Sequence, residues 1–333
     1  MKRSNLSKKT FLLLLAALTV TALLGIALML FPQMEQLQYR ESIRQDVSAF
    51  RERVKIYREE VIQPTNPTSA EGPEVTVLPE LYELMKRYNE KIYEEKQKDL
   101  VDAFSYANPI LDLSEYGIDD GIVGTIHIPS IQVEMPLYLG ANWTNLTKGL
   151  AQLSQTSMPI GGENTNCVVA GHRGWYGVPF LRDIEEVKVG DPVYLVTPWE
   201  TLEYRVCQEP LIILPNETEQ ILIQEGRDLL TLLTCHPYAV CTHRFLLICE
   251  RYHEAAPPDI PETKTTWTWD WVDRVTVTTA NGITVESSSS LIFALEIFPW
   301  LLVISVLALI LLALLLMLTV QALRHLRSRK KHS

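Results

Sequence analysis

The chain has 333 residues, 47% of them hydrophobic and 21% charged, with 40 acidic side chains against 30 basic ones and a formal net charge of −10. Such an excess of carboxylates argues against a nucleic-acid partner, whose phosphates call for a basic surface. Five cysteines, at 167, 207, 235, 241 and 249, are too few and too irregularly spaced for a disulfide framework, and no His/Cys spacing matches a structural zinc site, so no metal and no cofactor are expected.

Residues 1–10 form a basic tail with Lys2, Arg3, Lys8 and Lys9. Residues 11–31 then run without a charge, which suffices for a spanning helix at about 20 residues and exceeds the usual apolar core of a secretory leader, so they read as an uncleaved anchor. A second apolar stretch predicts a span over 298–320, followed by a basic tail over 321–333 that holds Arg324, Arg327, Arg329, Lys330 and Lys331. Neither tail has an acidic residue, and the positive-inside rule places both termini in the cytoplasm and everything between the spans outside a cell membrane. The lipid bilayer is thus an expected partner. Nine basic residues lie in the tails, which leaves 21 against 40 acids and about −19 for the outer segment.

Residues 32–106 are predicted helical and extracellular. Ile43, Val47, Phe50, Val54, Tyr57 and Val61 alternate at spacings of four and three, the mark of an amphipathic helix. A Pro- and Gly-rich break over 63–73 separates it from a second helix with Leu81, Leu84, Met85, Tyr88, Ile92 and later Leu100 and Phe104 on one face. The stripes suit packing within the chain; a coiled-coil contact with another protein is the alternative.

Over 117–252 the period changes to short apolar or alternating runs bounded by turn residues: 123–129, 133–139, 166–171, 192–196, 202–207, 211–214, 229–234 and 245–249. Eight such strands with a few short helices predict a mainly β, closed barrel. Residues 253–290 read as an extracellular linker that includes a hairpin-like stretch turning at Asn281-Gly282.

Within this barrel segment lie three candidates for acyl-transfer chemistry. Thr231-Leu232-Leu233-Thr234-Cys235 ends one strand on a thiol, Arg244 precedes the next strand, and Gly171-His172-Arg173 ends an earlier one on an imidazole. A cysteine attacks an amide as a thiolate, an imidazole can take up its proton and later protonate the leaving amine, and an arginine can stabilise the oxyanion or hold the substrate. His236 and His243 flank the thiol and compete with His172 for the assignment. His236 is disfavoured because adjacent residues of an extended chain point to opposite faces. Cys241 shares a loop with Cys235 and reads either as a bystander or as a disulfide partner.

These motifs, together with Gly124-Thr125-Ile126-His127-Ile128-Pro129 and Pro159-Ile160-Gly161-Gly162-Glu163-Asn164, closely resemble the sortases, cysteine transpeptidases of Gram-positive cell surfaces. Pro237-Tyr238 and Thr242-His243-Arg244 look most like class C, the pilin-polymerising branch. The resemblance implies an eight-stranded sortase-like closed β-barrel with His172, Cys235 and Arg244 catalytic and Thr234 in substrate binding. It also implies cleavage of an LPXTG-like sorting signal after its threonine, and pilins or other surface proteins with such carboxy-terminal signals as partners. Alternatives are a cell-wall anchoring sortase that uses a peptidoglycan-precursor amine and a non-catalytic surface scaffold. Class C members carry an Asp-Pro-aromatic lid ahead of the barrel. Over 107–116 its counterpart reads Asn108-Pro109-Ile110, without the charge or the ring; Asp112 or Tyr106 in its stead, or an ordinary loop, are the other readings.

Overall fold

The computed structural model describes residues 8–61, 77–98, 100–106, 108–175, 178–238, 240–253, 275–278, 284–287 and, apart from 305, 316 and 318, residues 304–320. The chain divides into two compact units: Met1–Gln38 with Ser290–Ser333, and Tyr39–Ser289. Among the described residues no helix is long and apolar enough to cross a membrane, and the spans expected over 11–31 and 298–320 are not found there. Helix α1 (Lys8–Val61) nonetheless includes all of 11–31. Val20, Leu23, Leu24 and Phe31 in one stretch, and Leu309, Ile310 and Leu312 in the other, are exposed.

In the larger unit, the stripe read from the sequence of α1 is buried at Ile43, Val47, Phe50 and Val54. Phe50 and Val54 share a cluster with Ile122, Tyr138 and Leu146, and Arg51 and Arg53 pair with Glu134 at 2.6 Å and Asp120 at 2.7 Å. Helix α2 (Pro79–Glu94) buries Leu81, Met85 and Ile92, and its Asn89 Oδ1 accepts from the Met158 amide at 2.7 Å. Side chains of this size contribute about 1.5–3 kcal/mol each on full burial, so the apolar faces are used up within the chain and the coiled-coil alternative falls away. Lys96 and Gln97, both at positive φ, end the second helical stretch well before Phe104, which the sequence pattern had on the same face.

The strands are β1 (Ile122–Ile128), β2 (Val133–Leu139), β3 (Leu150–Gln152), β4 (Thr165–Ala170), β5 (Pro192–Val196), β6 (Thr201–Val206), β7 (Leu211–Ile213), β8 (Asp228–His236) and β9 (His243–Arg251), with α3 (Trp143–Lys148) between β2 and β3. They run in the order β6-β5-β1-β2-β3-β4-β8-β9, and β6 pairs back onto β9 to close a ring of eight. The ring differs from the expected one in membership. Three-residue β3 was too short to show as a period and belongs to it, whereas β7 hangs on another part of β9. Outside the barrel, β10 (Val275–Thr278) and β11 (Thr284–Ser287) pair antiparallel; the turn expected at Asn281-Gly282 lies outside the described residues.

Two pairings place the chemistry. Strands β4 and β8 are parallel, from Thr165↔Asp228 to Ala170↔Leu233, so both carboxy ends reach the same rim. Strand β9 returns antiparallel from that rim, with Cys235 facing Arg244.

Candidate active site

Gly171 follows β4 where a side chain cannot fit, since a Cβ there would lie 2.3 Å from Leu150 Cδ2. Its amide donates to the Leu233 carbonyl at 3.0 Å, and the Thr234 hydroxyl donates to the Gly171 carbonyl at 2.8 Å. Thr234 is fully buried and its hydroxyl is spent on this tie. Alternation along β8 turns the Thr234 side chain, expected to bind substrate, inward, where it ties the two strand ends, and leaves the rim to its neighbour.

Cys235 is 9% exposed, and Arg244 Nη1 lies 3.9 Å from its Sγ. The same Nη1 donates to the carbonyls of Cys241 at 3.2 Å and His243 at 3.0 Å. The five cysteines are all free. Cys235 and Cys241 share a hydrogen bond, and the two thiols titrate as a pair. This bond, then burial, raises the Cys235 thiol, while the same bond lowers Cys241 to about 7, with Arg244 adding to the pull. The loop cysteine is thus in contact with the nucleophile candidate.

His172 is stacked on Trp175, with centroids 4.4 Å apart and planes at 13°, and is ringed by Phe104 at 5.9 Å, Phe180 at 6.1 Å and Trp143 at 6.2 Å. Burial lowers its pKa from 6.5 to about 4. Its Nε2 is buried without a hydrogen-bond partner among the described residues. The imidazole is neutral and waiting in this arrangement. His236, the rival base, is fully buried, and its ring packs by Phe245 with centroids 6.0 Å apart. His243 Nδ1 faces the hydroxyl of its neighbour Thr242 at 2.9 Å.

The covering segment lies six residues upstream of the expected one. Asp102 takes Arg244 in a two-pronged ion pair, Nε to Oδ1 and Nη2 to Oδ2, both at 2.7 Å. Phe104 sits between the cation, 5.0 Å from its ring centre, and His172. Asn108-Pro109-Ile110 is instead an exposed stretch held by the Ser154 hydroxyl, which donates to the Asn108 carbonyl at 2.7 Å, and by close packing of Pro109 on Gly140. Proline drew the sequence reading to 108–110; in the segment that covers the site Ala103 stands where a proline was looked for, between an acid and an aromatic ring. Asp102 and Phe104 were therefore missed, although Asp-x-aromatic alone would have found them.

Breaking this cover should be visible in the thiol. Asp102→Ala with Phe104→Ala removes a two-pronged ion pair and a ring contact, each worth on the order of 1 kcal/mol, so alkylation of Cys235 should speed up roughly 10-fold. Asn108→Ala with Ile110→Ala should leave it unchanged. The reverse pattern would return the cover to 108–110.

Acid should act in the same direction. A histidine held near 4 in the covered state and near 6.5 once freed binds its proton more tightly uncovered, so the covered state is stable above about 6.5 and is progressively lost as pH falls towards 4. Amide hydrogen exchange over 100–106, corrected for its intrinsic pH dependence, should rise across that window. A flat profile would show that Phe104 does not contribute to the burial of His172.

Among the described residues no group of three or more His, Cys, Asp or Glu is placed to hold a metal ion.

Comparison with known proteins agrees with this geometry. The family model described as Sortase domain matches residues 126–252. The chain is 31% identical over 132 residues to Sortase A of Listeria monocytogenes, covering 39% of this chain and 57% of that protein, so it spans little more than half of that relative's length. Sortase C of Streptococcus pneumoniae is 31% identical, with 61% of this chain and 98% of that one covered and a TM-score of 0.49. Sortase C1 of group B Streptococcus pilus island 1 is 27% identical, with 62% and 99% covered and a TM-score of 0.51. With a thiol and a guanidinium facing each other across β8 and β9 and an imidazole at the parallel strand end, the chain belongs to the sortase family.

Proposed function

We propose that the chain is a class C sortase, a membrane-anchored transpeptidase that polymerises pilins. The observation that carries it is the cover itself: an acid on Arg244 and a ring on His172, supplied by a segment ahead of the barrel, in a chain similar to a pilus-island sortase C1. Cys235 gives its proton to the neutral His172 and, as thiolate, attacks the threonine carbonyl carbon of an LPXTG-like signal; the C–N bond to glycine breaks, and the imidazolium delivers that proton to the departing amine. Arg244 holds the charge that develops on the carbonyl oxygen. A pilin lysine amine, losing its proton to His172, then attacks the thioester, the C–S bond breaks, the departing sulfur takes that proton back from the imidazolium, and an isopeptide bond remains. Every proton and bond is accounted for without a cofactor.

The membrane part of the reading rests on the uncharged run 11–31, the exposed apolar side chains there and at 309–312, and the basic tails. It places the barrel outside a two-pass cell membrane with both termini in the cytoplasm.

The test is to incubate the protein with a peptide carrying such a signal and look for a thioester on Cys235 by mass spectrometry, then add a lysine-bearing pilin or a peptidoglycan-precursor amine. Transfer to the lysine supports the proposal. Transfer to the precursor alone would make it a cell-wall anchoring enzyme, and no thioester even with Asp102 and Phe104 replaced would favour a scaffold.

A further inference from the structure

The ladder that aligns β4 with β8 stops at Ala170↔Leu233, before either reacting side chain is reached. Two bonds at Gly171 carry the alignment one step further. Beyond them His172 is held by its stacking on Trp175 and by its carbonyl, which accepts from the Leu181 amide at 3.1 Å, but neither contact ties it to Cys235.

The restraint present is a side chain. Arg173, the residue after His172, sends Nη1 across to the Cys235 carbonyl at 3.4 Å and to His236 Nδ1 at 2.6 Å. A guanidinium can only donate, so Nδ1 accepts. Arg173 Nη2 pairs with Glu185 Oε1 on the short helix Ile184–Glu186, and its Nε donates to the Arg182 carbonyl at 3.4 Å. Glu185 Oε1 also lies 3.3 Å from His236 Nδ1. Burial works against the Glu185 anion, but the Arg173 guanidinium paired with it holds its pKa below the usual carboxylate range. Side-chain exposure is 4% for Arg173, 8% for Glu185 and 0% for His236.

Three such groups in the interior do not by themselves argue for stability, since apolar residues of similar size commonly fill such a space as well or better. What apolar residues cannot do is bind one strand end to the other at a fixed distance. We infer that Arg173, Glu185 and His236 form a positioning unit that sets His172 against Cys235. None of the three touches the substrate in this view. Arg173 is fastened to the backbone on both sides of the reacting pair, Glu185 fixes its guanidinium from behind, and His236 anchors the fork beneath the thiol.

The inference rests on the proposed acyl transfer, so its test has a readout that does not. In Arg173→Met with Glu185→Met, both charges leave together and the space stays filled. The expected result is a folded protein whose kcat for thioester formation falls about 100-fold, the scale of a misplacement near 1 Å, at a KM within about twofold of the parent. Without any substrate, the pH profile of Cys235 alkylation should also lose its dependence on His172, so that adding His172→Ala to this double variant changes the profile no further. Should the double variant not fold, Arg173→Lys keeps a charge for Glu185 but not the planar fork, and the same two readouts apply.

If kcat falls only as far as the folded fraction falls, and the alkylation profile still responds to His172→Ala as in the parent, the unit is structural and the inference is overturned. An absence of thioester in the parent protein would count against the proposed function, while the alkylation comparison would still decide the positioning role.

Discussion

Cys235→Ala should abolish thioester formation and transfer, by at least 1000-fold, and leave the barrel folded. The change removes one sulfur from a site that is 9% exposed, together with its hydrogen bond to Cys241 and the 3.9 Å contact with Arg244. A volume change this small in a well-packed wall typically costs less than about 1.5 kcal/mol. The strand ladder from Asp228↔Thr165 onwards and the Thr234 tie are untouched. Cys241 is the neighbouring thiol that could take over, since it is exposed and its pKa is lowered to about 7, so peptide mapping has to show which sulfur carries any acyl group. A single measurement pairs intact-mass detection of the acyl-enzyme with thermal unfolding. Acyl-enzyme in the variant would remove Cys235 from the mechanism, and a collapsed melting curve would mean that its loss cannot be read as chemical.

Arg244→Lys is expected to split two readouts that usually move together. Lysine keeps the positive charge but cannot offer Nε and Nη2 to Asp102 while Nη1 faces Cys235 and the turn carbonyls. Transfer should fall roughly 10- to 1000-fold, as expected for a lost oxyanion or positioning contact. Alkylation of Cys235 should hold steady or rise, because the same replacement loosens the grip of Asp102 on the covering segment. Parallel losses in both would mean that Arg244 chiefly shapes the thiol's surroundings. Undiminished transfer would make it a structural residue.

The sequence was most transparent where chemistry and local structure coincide. A thiol or imidazole that must stand at a strand end shows as a reactive residue closing an apolar run, as Cys235 and His172 do, and the parallel pairing of β4 with β8 then brings the two runs to one rim. The amphipathic stripes of α1 and α2 were equally plain, because their burial against the barrel needs helical spacing.

What stayed hidden depends on contacts between residues far apart in the chain. Asp102 finds its partner 142 positions away at Arg244, and its one local signal is the spacing to Phe104. Thr234 sits in a motif that invites a functional role, yet its hydroxyl goes to Gly171, which is visible only when β4 lies beside β8. The end of the second helical stretch at Lys96 and Gln97 has no glycine or proline to mark it. Arg173 stands in the Gly171-His172-Arg173 motif and His236 beside the thiol, yet nothing in the sequence joins either to Glu185 until the fold encloses all three.

One edge of β9 is divided between two neighbours. Near Arg251 it holds β6, at Tyr204↔Arg251 through Val206↔Cys249, and near Arg244 it holds only β7, at Leu211↔Leu246 through Ile213↔Arg244. The seam that shuts the ring is therefore at the far end from the thiol. A three-residue strip is all that flanks the reactive end on that side, and low local pairing of this kind is where strands fray first. Amide hydrogen exchange should therefore be faster along Leu211–Ile213 than along the seam at Tyr204–Val206.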